Sequence, residues 1–145
     1  EMRALQGTGV VFEPHSLTHR NLTALDEAAA RREIEGSRDV LEERLGRRPR
    51  AFCYPAGLAG PRERRLVAEA GLDVAVSCEP GAAAAGCDPR WVPRLGVGRY
   101  DRIADVRAKL RGAHDRPLPG RALYQAVRYG RRPAAAPAIG RGGAT

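Results

Sequence analysis

Two histidines stand four residues apart in His15-Ser16-Leu17-Thr18-His19, with two hydroxyl side chains between them. Imidazole nitrogens bind borderline divalent ions and exchange protons near neutral pH, so such a pair is a candidate for metal or acid–base chemistry. The chain has 3 histidines in all, and any histidine-based metal chemistry must start from this pair. The spacing alone is more often incidental than functional, so the elements around it have to decide. Cys53, Cys78 and Cys87 are odd in number and form no Cys-x-x-Cys pair, which supports neither a zinc knuckle nor a disulfide framework; spare or buried thiols are the simpler reading.

The elements that would position the histidines can be read in order. Residues 2–5 resemble a helix end stopped by Gly7 and Gly9. Val10, Val11 and Phe12 form a short apolar run of buried-strand type, which would put the histidine pair at the carboxyl end of a strand, where α/β sheets place their chemistry. Asp26 is a fitting N-cap for a helix to about Leu45, with Glu27 in its first turn. Ile34, Leu41 and Leu45 give that helix an apolar stripe, Arg31, Arg32, Glu42 and Glu43 mark its wet side, and Gly46 and Pro49 end it. Residues 51–54 read as the next strand, closed by Pro55 and a turn at Ala56-Gly57. Pro61 opens a second helix that Gly71 terminates, and residues 73–77 are a third strand.

A Gly/Ala/Pro loop without periodicity follows over 79–90, then a strand-like pattern over 91–97 interrupted by Pro93, suited to an edge. Asp101 is expected to cap a helix with Ile103, Val106 and Leu110 on its apolar side. The alternation of strands and helices is α/β with parallel strands. The expected organisation is one partial domain over 1–117, a short helix or extension over 118–130 (helical at about 121–128), and a disordered Arg/Pro/Ala/Gly tail over 131–145.

Composition excludes several classes. At 145 residues and 43% hydrophobic the chain can bury one core but not two. Apolar runs such as 82–85 fall far short of the ~20 residues of a membrane span, and no signal-peptide pattern opens the chain. The net charge of +8 invites a polyanion, yet Lys109 is the only lysine among 25 basic residues and the arginines are dispersed. Nucleic-acid binding is therefore supported by charge alone, and a salt-dependent affinity would be its signature.

Four features in sequence carry a resemblance: His15-Ser-Leu-Thr-His19; the long helix with Glu33-Ile34 and its Leu45-Gly46 end; Arg50-Ala-Phe-Cys-Tyr-Pro-Ala-Gly57; and Glu69-Ala-Gly-Leu-Asp-Val-Ala75. Together with Val92-Pro-Arg-Leu-Gly-Val97 they resemble the polysaccharide deacetylases of the NodB-homology type, carbohydrate esterase family 4, over roughly residues 1–115. The resemblance implies an α/β fold, a partial distorted (β/α) barrel, and removal of N- or O-acetyl groups from an acetylated polysaccharide or oligosaccharide by metal-activated water. It implies a divalent metal, typically Zn2+, held by an aspartate and by His15 and His19, an open site at which the ion acidifies water and polarises the acetyl carbonyl. It implies the Ala56 backbone N–H as oxyanion donor, His114 as a late general acid, and Arg94 as a substrate contact or carboxylate brace.

The departures from the family pattern are specific. Its first motif, a strand ending Thr-Phe-Asp-Asp that supplies the base and the carboxylate ligand, is not in these 145 residues and is expected upstream of Glu1. Asp26, Asp88, Asp101 and Asp115 stand in no such motif. Glu13-Pro14 replaces the usual small pair before the first histidine, Cys53 stands where many relatives carry an arginine, and His114 is one residue off the usual spacing from Leu110, where a cation past a helix end is the alternative. Three functions follow: a deacetylase seen as a fragment inactive alone, a non-catalytic carbohydrate- or partner-binding relative, and a basic nucleic-acid-binding module.

Overall fold

The computed structural model describes residues 1–112, so His114, the expected extension over 118–130 and the expected tail lie outside the described residues. Among the described residues, four helices and three strands follow in the order α1 (Met2–Gln6), α2 (Glu27–Leu45), β1 (Ala51–Cys53), α3 (Pro61–Glu69), β2 (Val74–Pro80), β3 (Val92–Arg94) and α4 (Ile103–Leu110), with 3-10 turns at Leu22–Ala24 and Pro55–Gly57. The fold is α/β with a parallel sheet in the order β1-β2-β3. Phe52 pairs with Ala75 and Val76 with Val92, and the β2–β3 register is irregular between Val76 and Pro80.

The helices begin and end where their caps dictate. Asp26 accepts a 2.7 Å hydrogen bond from Ala29 N–H, satisfying one of the donors that a helix start leaves open. Gly46 closes α2 in the left-handed conformation at φ 66°, which a side chain would disfavour, and its N–H returns to Glu42 O at 2.8 Å. Pro61 is the first residue of α3, where its missing N–H costs nothing, and Glu63 reaches back to Gly60 N–H at 2.6 Å.

Strand alternation decides which side of the sheet is core. Phe52 and Tyr54 are buried, and their rings meet edge to face at 5.5 Å. They pack with Leu22, Ala30, Ile34, Leu66, Val67, Leu72 and Ala75 beneath α2 and α3. Tyr54 hides its polar end by donating from Oη to Arg90 O at 2.9 Å. Cys53, Val76 and Cys78 point to the other face, where they are half-buried. All three cysteines are free.

Several expectations are corrected. Val10, Val11 and Phe12 are not a strand: Val10 and Val11 are 41% and 58% exposed, and pairing with β1 starts only at Pro14, whose O accepts from Cys53 N–H at 3.0 Å. A short apolar run lacks the neighbours that make a strand. The buried stripe of α2 is Ala30, Glu33, Ile34 and Ser37, with Leu41 and Leu45 only half-buried. β2 runs on to Pro80, into the expected loop, and β3 is confined to Val92–Arg94. Helix α4 forms as expected, but Ile103 and Leu110 are 74% and 66% exposed and no α4 residue is buried. Its N-cap is Arg102, while Asp101 accepts from Gly98 N–H at 2.5 Å and pairs with Lys109. Among the described residues no helix is long and apolar enough to cross a membrane.

Candidate active site

The histidine stretch is a loop docked between β1 and α2. Glu13 fixes its entry: its carboxylate accepts from Arg50 N–H at 2.8 Å and Ala51 N–H at 2.9 Å and pairs with Arg47 at 3.2 Å. Glu13 therefore ties the loop to the start of β1. At the far end of β1, His15 Nδ1 lies 2.7 Å from Cys53 O. A carbonyl oxygen can only accept, so Nδ1 carries a hydrogen, and in the neutral tautomer this selects, Nε2 is the nitrogen with a lone pair to offer a ligand site. His19 is also exposed, and the two rings lie 4.8 Å apart between centroids at 71°.

The loop holds this arrangement against local cost. Among the described residues, the non-glycine positions with positive φ are Ser16 (66°), His19 (59°) and Ala56 (55°), all three within the stretches singled out from the sequence. Left-handed backbone at an L-residue costs roughly 1–2 kcal/mol, and it persists where surroundings over-determine it. Ser16 Oγ accepts from His19 N–H at 2.9 Å, closing the turn on itself. Thr18 donates from N–H at 2.9 Å and from Oγ1 at 2.6 Å to the carboxylate of Glu33 on α2. Burial pushes the Glu33 carboxyl upward, but the hydrogen bonds from Thr18, with help from Leu17 and Ser16, outweigh it and hold the group below the ordinary carboxylate range.

The Pro55–Gly57 turn supplies the second element. Its internal bonds run from Gly57 N–H to Tyr54 O (2.8 Å) and from Leu58 N–H to Pro55 O (3.1 Å), and Ala56 N–H takes part in neither. Gly57, at φ 67°, is pressed against β2, where a Cβ would come within 2.3 Å of Cys78 N. Arg94 donates from Nε to Ser77 O at 2.6 Å and from Nη2 to Cys78 Sγ at 3.0 Å, so its guanidinium lies across the end of β2. Burial raises the Cys53 thiol's pKa, and the charge of Arg94 partly counters that.

The structure thus brings His15 and His19 together and places Cys53, three residues before Ala56, against His15. Among the described residues no group of three or more His, Cys, Asp or Glu is arranged to hold a metal. Reading the sequence missed Glu33 as a contact of the loop, Gly36 beneath Leu17, and Glu13 as a strand brace. A carboxylate beside Ile34, on the buried stripe of α2, was the available signal for the first.

The family model for polysaccharide deacetylases matches residues 1–75. The chain belongs to the polysaccharide deacetylase family. Solved structures agree in fold. The Streptococcus pyogenes deacetylase PplD, determined with acetate, superposes with a TM-score of 0.72 at 19% identity over 74% of this chain and 48% of its own. BC0361, a polysaccharide deacetylase from Bacillus cereus, gives 0.67 at 17% identity over 76% of this chain and 35% of its own. IcaB from Ammonifex degensii gives 0.61 at 18% identity over 79% and 50%. The chain therefore spans half or less of the length of these family structures. No curated protein matches it.

Proposed function

We propose that this chain carries the histidine part of a metal-dependent polysaccharide deacetylase centre, in which His15 and His19 are two ligands of a divalent ion of the Zn2+ type. The observation that carries this reading is the 2.7 Å approach of His15 Nδ1 to Cys53 O, which occupies that nitrogen and leaves Nε2 as the candidate ligand, with the His19 ring 4.8 Å away between centroids. The donor set fits the ion in part: two neutral imidazoles suit a borderline cation, and a carboxylate ligand has to join them from outside the described residues. When bound, such an ion supplies Lewis acidity, acidifying water and polarising a carbonyl.

The chain's own groups then divide the remaining work. Cys53 O fixes the tautomer of His15, and the Thr18–Glu33 contact fixes the loop between the ligands. Ala56 N–H, outside the hydrogen bonds of its turn, is the donor for the oxygen of an acetyl carbonyl as it gains negative charge. A backbone donor serves whatever the side chain, so alanine is no obstacle there. Arg94, tied to Ser77 O and Cys78, braces the strand end beside this turn. The substrate is an acetylated poly- or oligosaccharide, and the products are acetate and a free amine or hydroxyl. Residues 1–145 alone are expected to turn over little or none, since the catalytic base and the carboxylate ligand come from elsewhere in this reading.

Metal analysis of the purified protein tests it. The expected result is about one divalent ion per chain, lost in His15→Ala and in His19→Ala. Unchanged occupancy in both variants would sink the assignment. Carbohydrate binding with no deacetylation would favour the non-catalytic carbohydrate-binding reading.

A further inference from the structure

We infer that Glu33 and Gly36 of α2 are positioning residues for the histidine loop, Glu33 by binding it through Thr18 and Gly36 by leaving a notch for Leu17. The functional meaning rests on reading His15 and His19 as metal ligands. The geometry stands without it.

Residues three apart on a helix face the same way, so Glu33 and Gly36 meet one segment together. That segment is residues 16–19. Glu33 is 8% exposed, and a carboxylate taken out of water is tolerated only when hydrogen bonds replace the lost hydration. Both of its oxygens are used on Thr18, at 2.6 and 2.9 Å. Charge-assisted bonds of this kind are the strong ones.

Gly36 lies inside a 19-residue helix, where glycine is a poor helix former. A Cβ built there would fall 2.6 Å from Leu17 Cδ1 and 3.3 Å from Leu17 Cγ, so Leu17, itself 48% exposed, lies over the glycine and has to turn aside for a side chain there. Hydrogen bond and notch clamp adjacent residues, Thr18 and Leu17. Those two sit between Ser16 and His19, the loop residues held at positive φ. A loop with left-handed residues at both ends of a clamped pair relaxes when the clamp is removed. Its relaxation would move His15 and His19 relative to each other.

The test follows the metal and the loop separately in the 145-residue chain. Co2+ binding is read from visible absorption, and Thr18 amide exchange is read by NMR in the metal-free protein. Glu33→Leu is expected to weaken Co2+ by about tenfold to a hundredfold, the usual penalty for losing an outer-sphere partner. It is also expected to speed Thr18 exchange by about tenfold or more while leaving Tyr54 N–H, bonded to Val76 O, protected. Glu33→Gln keeps an acceptor for Thr18 N–H and should fall between wild type and Glu33→Leu. Gly36→Val should reproduce the loss, and adding Leu17→Ala should restore slow Thr18 exchange by returning the space. This rescue keeps the test decisive if Glu33→Leu does not fold.

Thr18 exchange within about twofold of wild type in Glu33→Leu or, should that variant not fold, in Gly36→Val would overturn the inference. So would Co2+ affinity unchanged in these variants. If the wild-type chain takes up no Co2+, Thr18 exchange alone decides whether α2 holds the loop.

Discussion

The histidine loop, which leads into α2, and the segment from Val97 through α4 to Leu110 are held in different ways. The loop is strained at Ser16 and His19 and is fastened by Glu13, Cys53 O and Glu33, each bonding backbone or side chain across a long sequence separation. The β3–α4 segment is fastened mainly within itself, through Asp101 to Gly98 N–H and Lys109, and Asp105 to Arg102 N–H. Its apolar residues Val97, Ile103 and Leu110 are 66–74% exposed. Strain is stored where long-range contacts can bear it, whereas among the described residues the bonds named for α4 are local and none of its side chains is fully buried.

The largest effect that would sharpen this contrast compares one isoleucine from each region. Ile34 is fully buried in the core under α2, and Ile34→Ala is expected to cost about 2–5 kcal/mol in unfolding free energy, from lost transfer and a residual cavity. Ile103→Ala removes the same atoms from a 74% exposed position and should change stability by no more than about 0.5 kcal/mol. Denaturant melts of both variants decide it. A cost at Ile103 approaching that at Ile34 would mean that α4 is packed after all, and the contrast would break.

Helix caps give a smaller version of the same comparison. Asp26 bonds Ala29 N–H, whereas Arg102 makes no side-chain cap bond. Asp26→Ala should therefore cost about 1 kcal/mol and Arg102→Ala only a few tenths. Equal costs in thermal melts would show that the capping geometry is not what distinguishes the two helix starts.

How much of this could be read from residues alone differs between the two regions for a physical reason. α2 was legible to its ends because its cap, Asp26, and its terminator, Gly46, act locally. β1 and the Pro55–Gly57 turn were legible because alternation and proline are local signals too. The apolar spacing of α4 correctly announced a helix but not how far its apolar side is covered, since periodicity gives a face but not a neighbour. Val10, Val11 and Phe12 misled for the same reason. Glu33 and Glu13 were opaque for the opposite reason. A carboxylate on a helix reads as a wet side chain, and only the arrival of Thr18 from 15 residues away shows otherwise. The histidine pair was visible as a spacing, while the bond that orients His15 spans 38 residues.

The smallest expected effect tests whether the Glu33 contact behaves as an ionised one. Hydrogen bonds from Thr18 outweigh burial and hold its carboxyl below the ordinary carboxylate range in the folded chain, and in the unfolded chain the group returns to about 4.3. Between those two values the unfolded state binds more protons, so stability rises with pH there. Above the unfolded value the contribution is fully present, and it is lost as pH falls through the folded value. Comparing urea midpoints of wild type and Glu33→Gln across the acid range should show a gap near neutrality that closes on acidification. The amide of the variant cannot titrate, so the closing must come from wild type. Glu63, buried at the start of α3 and likewise lowered by bonds to Gly60 N–H and Arg62 that outweigh its burial, titrates in both proteins and cancels from the difference. A gap that stays constant down to strongly acid pH would mean that Thr18 holds an uncharged group, and the loop would then be fastened by shape more than by charge.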